Sequence, residues 1–186
     1  MPLTTAAQAP ADAPEAALLE RARTDREAFG AIYRAHAPAV LGYLRRRTRC
    51  AAAAEDLLAE TFLRALAAIP HFRSQGVPLR AWLYRIATNL ANTWVRRQRV
   101  RRALFLPVGD EALKSAAVDG SAPSDDGAVR RALAKLSAAD QAVLILRFVE
   151  ELNIEEAAQV LGLPPGTVQS RTARARERLK QLLLRS

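Results

Sequence analysis

The sequence predicts an all-α protein with two small helical domains, joined by a flexible acidic linker, and with a helix-turn-helix in the C-terminal domain. Apolar residues recur at steps of three and four, while the alternation typical of β-strands is almost absent. Charge divides the 186 residues into three parts: residues 1–102 carry 17 basic and 8 acidic groups, residues 103–127 carry 1 and 5, and residues 128–186 carry 10 and 6. Two basic domains flanking an acidic connection, with a net charge of +9, favour a polyanionic partner.

These shifts in composition set the predicted domain boundaries. Residues 1–14 are rich in Ala and Pro and are expected to form a disordered tail. The N-terminal domain is expected over residues 15–102 and the C-terminal domain over residues 128–186. Gly, Pro, Ser and Asp punctuate residues 103–127 without a persistent helical period, so this stretch is predicted to be a linker that lets the domains move independently.

Several classes of protein are disfavoured by what the sequence lacks. No segment has the apolar length to span a bilayer, and the N-terminus lacks the charged start and apolar core of a secretion signal. A single cysteine, Cys50, fits a reducing cytoplasm. One cysteine and two histidines cannot supply a soft-ligand metal cluster, and no phosphate-binding glycine loop or nucleophile–base pair is evident. We therefore expect no catalytic residues, no metal, no cofactor, no membrane insertion and a cytoplasmic location.

The first helices are predicted from their apolar stripes. A helix that includes Phe29 and Ile32 is expected to kink or break briefly at Pro38 and to end at a run of three arginines. A second, from Glu55 to Ile69, places Leu58 and its helical neighbours on one buried face.

Acidic residues crowd the first turns of the second helix. Glu55, Asp56 and Glu60 have two interpretations. They reflect the preference of helix starts for acids, with a surface pair between Glu60 and Arg64, or they form a docking face for a basic partner.

A third helix is predicted over residues 79–102, after a loop at residues 71–78. Aromatic, basic and amide side chains are interleaved along it, and five arginines crowd its end. This pattern suggests a nucleic acid whose bases can be stacked or held unpaired. The alternative is that Trp82 and Trp94 are anchors of the core.

The C-terminal domain ends in a predicted helix-turn-helix. Asn153 and Glu156 have the spacing of a capping box, and Gly162 can end the first helix in a left-handed conformation. Pro164-Pro165-Gly166 prevents the helix from continuing and changes the direction of the chain, and a second helix is predicted to start near Thr167. In such a motif the second helix presents polar and basic side chains to the major groove of DNA. The alternative is an ordinary antiparallel helix pair with a solvated basic face.

With these motifs assembled, the chain resembles the extracytoplasmic-function (group 4) sigma factors of bacterial RNA polymerase, in the sigma-70 family. AEDLLAETFLRAL resembles region 2.2 of that family, and PLRAWLYRIATNLANTWVRR resembles regions 2.3 and 2.4. Residues 136–179 resemble region 4. The resemblance implies that the protein binds core RNA polymerase and directs promoter recognition, melting and transcription initiation, without enzymatic activity of its own. A polymerase-independent helix-turn-helix regulator is the alternative, and an enzyme is a third.

The resemblance also implies roles for individual residues. Docking on core polymerase would involve Asp56, Leu57 and Glu60. The minus-ten element would be contacted by Arg80, Trp82, Arg85, Asn89, Arg96 and Arg97, the last two through backbone phosphates. The minus-35 element would be read by Thr167, Gln169, Ser170, Arg171 and Arg174. The implied partners are core RNA polymerase, promoter DNA and an anti-sigma factor.

Overall fold

The structure is a computed structural model that describes residues 12–73, 76–104 and 125–185. Within these ranges the chain forms eight α-helices and no strand, which confirms the all-α prediction. The helices are α1 (Asp12–Ala22), α2 (Arg26–Thr48), α3 (Ala51–Ala68), α4 (Leu79–Leu104), α5 (Asp125–Lys135), α6 (Ala138–Phe148), α7 (Ile154–Leu161) and α8 (Pro165–Leu184). A 3₁₀ turn at Ile69–His71 follows α3. Most of the predicted tail and of the predicted linker lies outside the described residues.

The helix boundaries differ from the predicted ones at several points. The chain is already helical from Asp12, and α1 is a separate helix that the sequence pattern did not reveal. Pro38 does not break α2, which continues to Thr48 because Ala37 and Val40 on either side of it are buried in the core. Helix α4 runs to Leu104, and α5 begins at Asp125, so both extend into the predicted linker.

The helix-turn-helix forms as its capping residues predict. The Asn153 side chain accepts a hydrogen bond from the Glu156 amide at 2.8 Å, and the Glu156 carboxylate accepts one from the Asn153 amide at 2.8 Å. The Asn153 and Glu156 amides, which have no partner within α7, are both satisfied by this reciprocal pair, as in a capping box. Gly162 ends α7 at φ +64°, where a side chain would be strained.

Helix α4 connects the two halves of the molecule. It packs against α2 and α3 of the N-terminal domain (α1–α4) and also against α7 of the C-terminal domain (α5–α8). The buried apolar residues of both domains therefore form one continuous cluster. Its largest fully buried members are Ile32, Val40, Tyr43, Leu44, Ile69, Leu79, Leu83, Val143, Leu146, Leu152, Val160 and Val168.

A polar ridge runs along the side of α4 that faces α2 and α7, with one residue every four positions: Arg80, Tyr84, Thr88 and Asn92. Tyr84 and Thr88 are buried, Arg80 is half-exposed and Asn92 is exposed. Two of these residues are bonded to α2. The Thr88 hydroxyl shares a 2.7 Å hydrogen bond with the Tyr43 hydroxyl, and burial raises the pKa of Tyr43. Asn92 Oδ1 accepts a 2.6 Å hydrogen bond from Arg47, whose side chain is only 3% exposed. These two hydrogen bonds, each of which involves a buried side chain of α2, fix the register of α4 against α2.

The other two ridge residues hold the C-terminal domain. Arg80 Nη2 donates to both carboxylate oxygens of Glu156, each at 2.9 Å. The Tyr84 hydroxyl donates to Glu150, which also accepts from Arg46 Nη1 at 3.2 Å. Loss of water around Glu150 raises the pKa of its carboxyl group despite these partners. The closed arrangement of the two domains therefore depends on both apolar packing and charge.

His36 lies half-buried in α2, and its pKa is lowered mainly by loss of water and further by the positive charge of Arg80, while Glu15 opposes the shift. The folded protein therefore holds this imidazole neutral at a pH where the unfolded chain, with a pKa near 6.5, begins to bind a proton. The contribution of His36 to stability is complete above about pH 6.5 and falls as the pH drops toward the lowered folded pKa.

We predict that His36→Gln flattens the pH dependence of the free energy of unfolding between pH 7.5 and pH 5.5. The difference in slope should approach, at most, one proton, or about 1.4 kcal/mol per pH unit. Denaturant titrations at a series of pH values measure it, with the exposed His71→Gln as the matched control. Equal slopes in wild type and His36→Gln would contradict the prediction.

Candidate nucleic-acid interface

The outer face of α8 carries four of the five residues predicted to read the minus-35 element. Val168 and Ala175 are fully buried and anchor the helix on its inner side. Residues at helical spacings of three and four share a face, which places Thr167, Ser170, Arg171 and Arg174 together on one side of the helix, next to its buried side. Ser170 and Arg174 are exposed, and Thr167 and Arg171 are half-exposed. Gln169 is exposed on a different side of the helix, about 100° of rotation from Ser170.

Local bonds hold the polar side chains of this face close to α8. Ser170 Oγ donates to Thr167 O at 3.1 Å, and Arg174 Nε donates to Ser170 O at 3.3 Å. The guanidinium nitrogens at the tip of Arg174 have no partner in these bonds and can form the planar fork that suits a guanine edge or a phosphate.

A basic depression lies next to this face, where the start of α6 meets α8. It has a volume of about 180 Å³, and its charged lining residues are Asp140, Arg171, Arg174 and Arg178. Arg178 Nη1 donates to Asp140 Oδ2 at 2.8 Å, which leaves a surplus of positive charge. Arg178 is absent from the predicted set, because its proximity to α6 depends on the packing of α6 on α8 and has no local signal.

On α4 the predicted minus-ten residues divide into two groups. Arg85, Asn89 and Arg96 are exposed and follow one another at helical spacing, so they present a common face, with exposed Arg97 beside it. Arg80 lies on a different side of the helix and is bonded to Glu156. The structure therefore does not bring Arg80 together with the other predicted contacts.

The loop before α4 brings two aromatic rings together. The centroids of Phe72 and Trp82 lie 4.4 Å apart, with their planes inclined by 31°. Trp82 is half-buried and packs against the core, as the interpretation of a core anchor predicts, and part of the side chain remains exposed. A partly exposed indole backed by a second ring offers a platform on which a base can stack.

Helix α1 and the turn that follows it hold both ends of that loop. Arg23 Nη2 donates to the Phe72 carbonyl oxygen at 2.8 Å, and Glu15 Oε1 accepts from the Leu79 amide at 2.9 Å. The Leu79 amide is one of the unpaired donors at the start of α4, and a carboxylate there also suits the positive end of the helix dipole. Glu15 and Arg23 were not predicted, because their partners lie 64 and 49 residues away.

The predicted docking face on α3 is accessible. Asp56 is exposed, whereas Leu57 and Glu60 are half-exposed. Glu60 accepts a 2.7 Å bond from Arg64, so the predicted surface pair is present. Leu63 is 63% exposed and follows Asp56 and Glu60 on the same side of the helix, which adds an apolar contact to the acidic face.

The described residues contain no group of three or more His, Cys, Asp and Glu side chains arranged to hold a metal ion. None of the helices in the described ranges is long and apolar enough to cross a bilayer.

Comparison with known proteins identifies the class. Residues 32–101 match the family model for sigma-70 region 2, and residues 126–179 match that for sigma-70 region 4. The ECF RNA polymerase sigma factor BldN of Streptomyces coelicolor is 36% identical over 174 residues, which cover 89% of this chain and 64% of BldN. The RNA polymerase sigma factor CnrH of Cupriavidus metallidurans is 32% identical over 184 residues, which cover 94% of this chain and 96% of CnrH.

Solved structures agree with these matches. CnrH in complex with the cytosolic domain of CnrY has a TM-score of 0.68 and 28% identity, with 90% of this chain and 95% of that chain covered. The sigma factor RpoE of Bartonella quintana, in complex with the anti-sigma factor NepR, has a TM-score of 0.62 and 29% identity, with 83% and 96% covered.

The chain therefore belongs to the sigma-70 family of RNA polymerase sigma factors, and some of its relatives, BldN among them, are ECF sigma factors by name. As a sigma factor it binds core RNA polymerase and directs promoter recognition, melting and transcription initiation. The match to region 2 favours this function over a stand-alone helix-turn-helix regulator.

We predict that Glu15→Ala and Arg23→Ala each loosen the loop before α4. Each removes a hydrogen bond worth about 0.5–1.5 kcal/mol, and Glu15→Ala should speed hydrogen exchange at the Leu79 amide. Hydrogen-exchange mass spectrometry and thermal unfolding measure both effects. Arg21→Ala is the matched control, because Arg21 lies on the same helix with its side chain 70% exposed. Unchanged exchange at Leu79 would contradict the role assigned to Glu15.

Proposed function

We propose that α8 reads the minus-35 element through Thr167, Gln169, Ser170, Arg171 and Arg174. The observation that supports this proposal is the polar face of α8. The helix is anchored by the buried Val168 and Ala175 and follows a tight turn after the capped helix α7. The depression lined by Arg171, Arg174 and Arg178 would receive a backbone phosphate, which positions the helix without reading sequence.

The N-terminal domain would engage the minus-ten element. Arg85 and Asn89 would approach the bases, and Arg96 and Arg97 would hold phosphates. Trp82, backed by Phe72, would stack on an unpaired base of the non-template strand, so that binding offsets the cost of unpairing. Glu15 of α1 and Arg23 in the turn after it, which hold the loop, would keep this platform in place.

Helix α3 would dock on the polymerase. Asp56 and Glu60 would face basic groups of the largest subunit, and Leu57 and Leu63 would add apolar contact. Such an arrangement, with charges around an apolar centre, is typical of protein–protein interfaces.

Regulation and location follow from the proposed role. RpoE, a structural relative, was solved with an anti-sigma factor, and an anti-sigma factor is a proposed partner here as well. The proposed site of action is the cytoplasm, where polymerase and promoter DNA meet. The chemistry of RNA synthesis would belong to the polymerase, so this chain would act by binding and would have no catalytic activity.

We predict that run-off transcription with purified core polymerase yields discrete transcripts only when this chain is added, and that Asp56→Lys/Glu60→Lys removes them. The reversal should weaken binding to core polymerase by about tenfold or more, because it sets like charges against each other. Glu55→Lys is the matched control: Glu55 lies beside Asp56 but is paired with Arg45 at 3.1 Å, away from the docking face. If wild type gave no transcript, the function would be wrong. If Glu55→Lys were as defective as the double variant, the docking face would be wrong.

We predict that Arg174→Ala in the reconstituted holoenzyme weakens binding to a duplex that contains the minus-35 element and relaxes the preference at one base pair. The expected loss is about 1–3 kcal/mol of discrimination. Competition binding with duplexes that carry single base-pair substitutions measures it. Arg176→Ala is the matched control, since Arg176 is exposed on the other side of α8. If both variants lost the same affinity for every duplex, Arg174 would be a general electrostatic contact that does not read sequence.

A further inference from the structure

The C-terminal domain carries a buried acid in the middle of a basic surface. Two depressions meet at the start of α6, with volumes of about 180 and 270 Å³, and Asp140 and Arg178 line both of them. The other charged residues that line them are all basic: Lys135, Arg171, Arg174 and Arg185. Within the described part of the chain, Asp140 is therefore the only acid that lines either depression. An acid at this position lowers the positive charge that α8 can offer to a polyanion.

Arg178 belongs to the face of α8 that is proposed to meet DNA. It follows Arg171 by seven residues and Arg174 by four, so the three guanidinium groups lie along one side of the helix. The side chain of Arg178 is 61% exposed, so a phosphate can reach it from solvent. Its ability to contact DNA then depends on how firmly Asp140 holds it.

The ion pair between these two residues is unequally buried. Arg178 Nη1 donates to Asp140 Oδ2 at 2.8 Å, and the side chain of Asp140 is only 9% exposed. No other cation pairs with Asp140 among the residues that the structure describes. If Arg178 left, it would regain water, whereas the buried carboxylate would be left without a partner, which is costly. The burial of the acid therefore keeps the arginine in the pair.

We propose that Asp140 holds Arg178 back from the phosphates of DNA and thereby limits the sequence-independent part of DNA binding by α8. The proposal rests on the proposed function, because that function places DNA against this face. A phosphate in the smaller depression would be held by Arg171 and Arg174, while the charge of Arg178 stays compensated by Asp140. Removal of the charge at residue 140 would give α8 one further phosphate contact.

The effect concerns DNA of any sequence. Phosphate contacts raise the affinity for every duplex and carry no information about bases. The chain has a net charge of +9, which favours binding to any polyanion. A buried acid beside the proposed reading face lowers this background affinity, so that less of the protein is retained on unrelated DNA.

A purely structural role for Asp140 predicts the opposite sign. Asp140 lies in the first turn of α6, where an acid suits the helix dipole, and its amide donates to the capping Ser137 Oγ at 3.1 Å. If stabilising α6 were its whole role, replacing it would weaken DNA binding. Asp140→Asn is the informative variant, because the cap uses the backbone amide and is kept while the charge is removed.

The test is fluorescence anisotropy of the full chain with two labelled duplexes. One carries the minus-35 element of a promoter that is active in the run-off assay, and the other has an unrelated sequence. Titrations at about 50 to 200 mM salt give the affinity and its salt dependence. We expect Asp140→Asn to bind both duplexes about fivefold tighter, because one charge is no longer compensated. The slope of log K against log salt concentration should steepen by about 0.9, and the ratio between the duplexes should not change.

Glu151→Gln is the matched control. It removes the same charge from an exposed residue of the same domain, beyond the far end of α6, which is about 16 Å long. This control should bind like wild type, and adding Arg178→Ala to Asp140→Asn should abolish the gain. Unchanged or weaker binding by Asp140→Asn would overturn the proposal. So would an equal gain in Glu151→Gln, or a gain that survives Arg178→Ala.

A second comparison does not depend on how well Asp140→Asn folds. With Asp140 in place, Arg178→Gln should leave the salt slope unchanged, because Arg178 makes no phosphate contact. Arg171→Gln should flatten the slope by about 0.9, since it removes such a contact. Equal flattening in both variants would show that Arg178 already binds phosphate and would overturn the proposal.

The outcomes separate this proposal from the proposed function. If wild type prefers the minus-35 duplex and Asp140→Asn behaves like wild type, the role of Asp140 is wrong and the reading face stands. If wild type binds both duplexes equally, α8 does not read the minus-35 element, and the unrelated duplex still decides the role of Asp140. Absence of binding to either duplex by wild type and Asp140→Asn alike would overturn both.

Discussion

The requirement that polar groups at helix contacts find partners organises this molecule around one side of α4. Four residues at successive turns of that helix each have a partner on a neighbouring segment: Thr88 and Asn92 on α2, Arg80 on α7, and Tyr84 on the segment before α7. Apolar contact alone would allow α4 to slide or rotate, because it is not directional. The hydrogen bonds permit one register, and the positions of the exposed side chains of α4 follow from it.

The side chains proposed to contact DNA are not equally accessible. Ser170 and Arg174 on α8 are exposed, as are Arg85 and Asn89 on α4, whereas Arg80 is bonded to Glu156 of the C-terminal domain. Under the proposed function, the exposed residues of both helices could meet DNA in the structure as described. Arg80 could do so only after its pairing with Glu156 is broken.

Local features of the structure could be predicted from the sequence because their causes are local. The capping box of Asn153 and Glu156, the left-handed Gly162 and the buried stripe of α3 each depend on residues a few positions apart. The exposed face of α8 follows from the same periodicity. The pairing of Arg80 with Glu156 joins residues 76 positions apart, and no spacing in either helix indicates it. The roles of Glu15 and Arg23 were missed for the same reason, since both depend on backbone groups far away in the sequence.

A change at Glu156 alone would alter the contact between the two domains. The same carboxylate caps α7 and holds Arg80, but glutamine can perform the first task alone. A one-base change from a glutamate to a glutamine codon would therefore alter how tightly the domains associate without unfolding the motif that reads DNA. The strength of the contact between the domains can thus change while the capped helix-turn-helix stays intact.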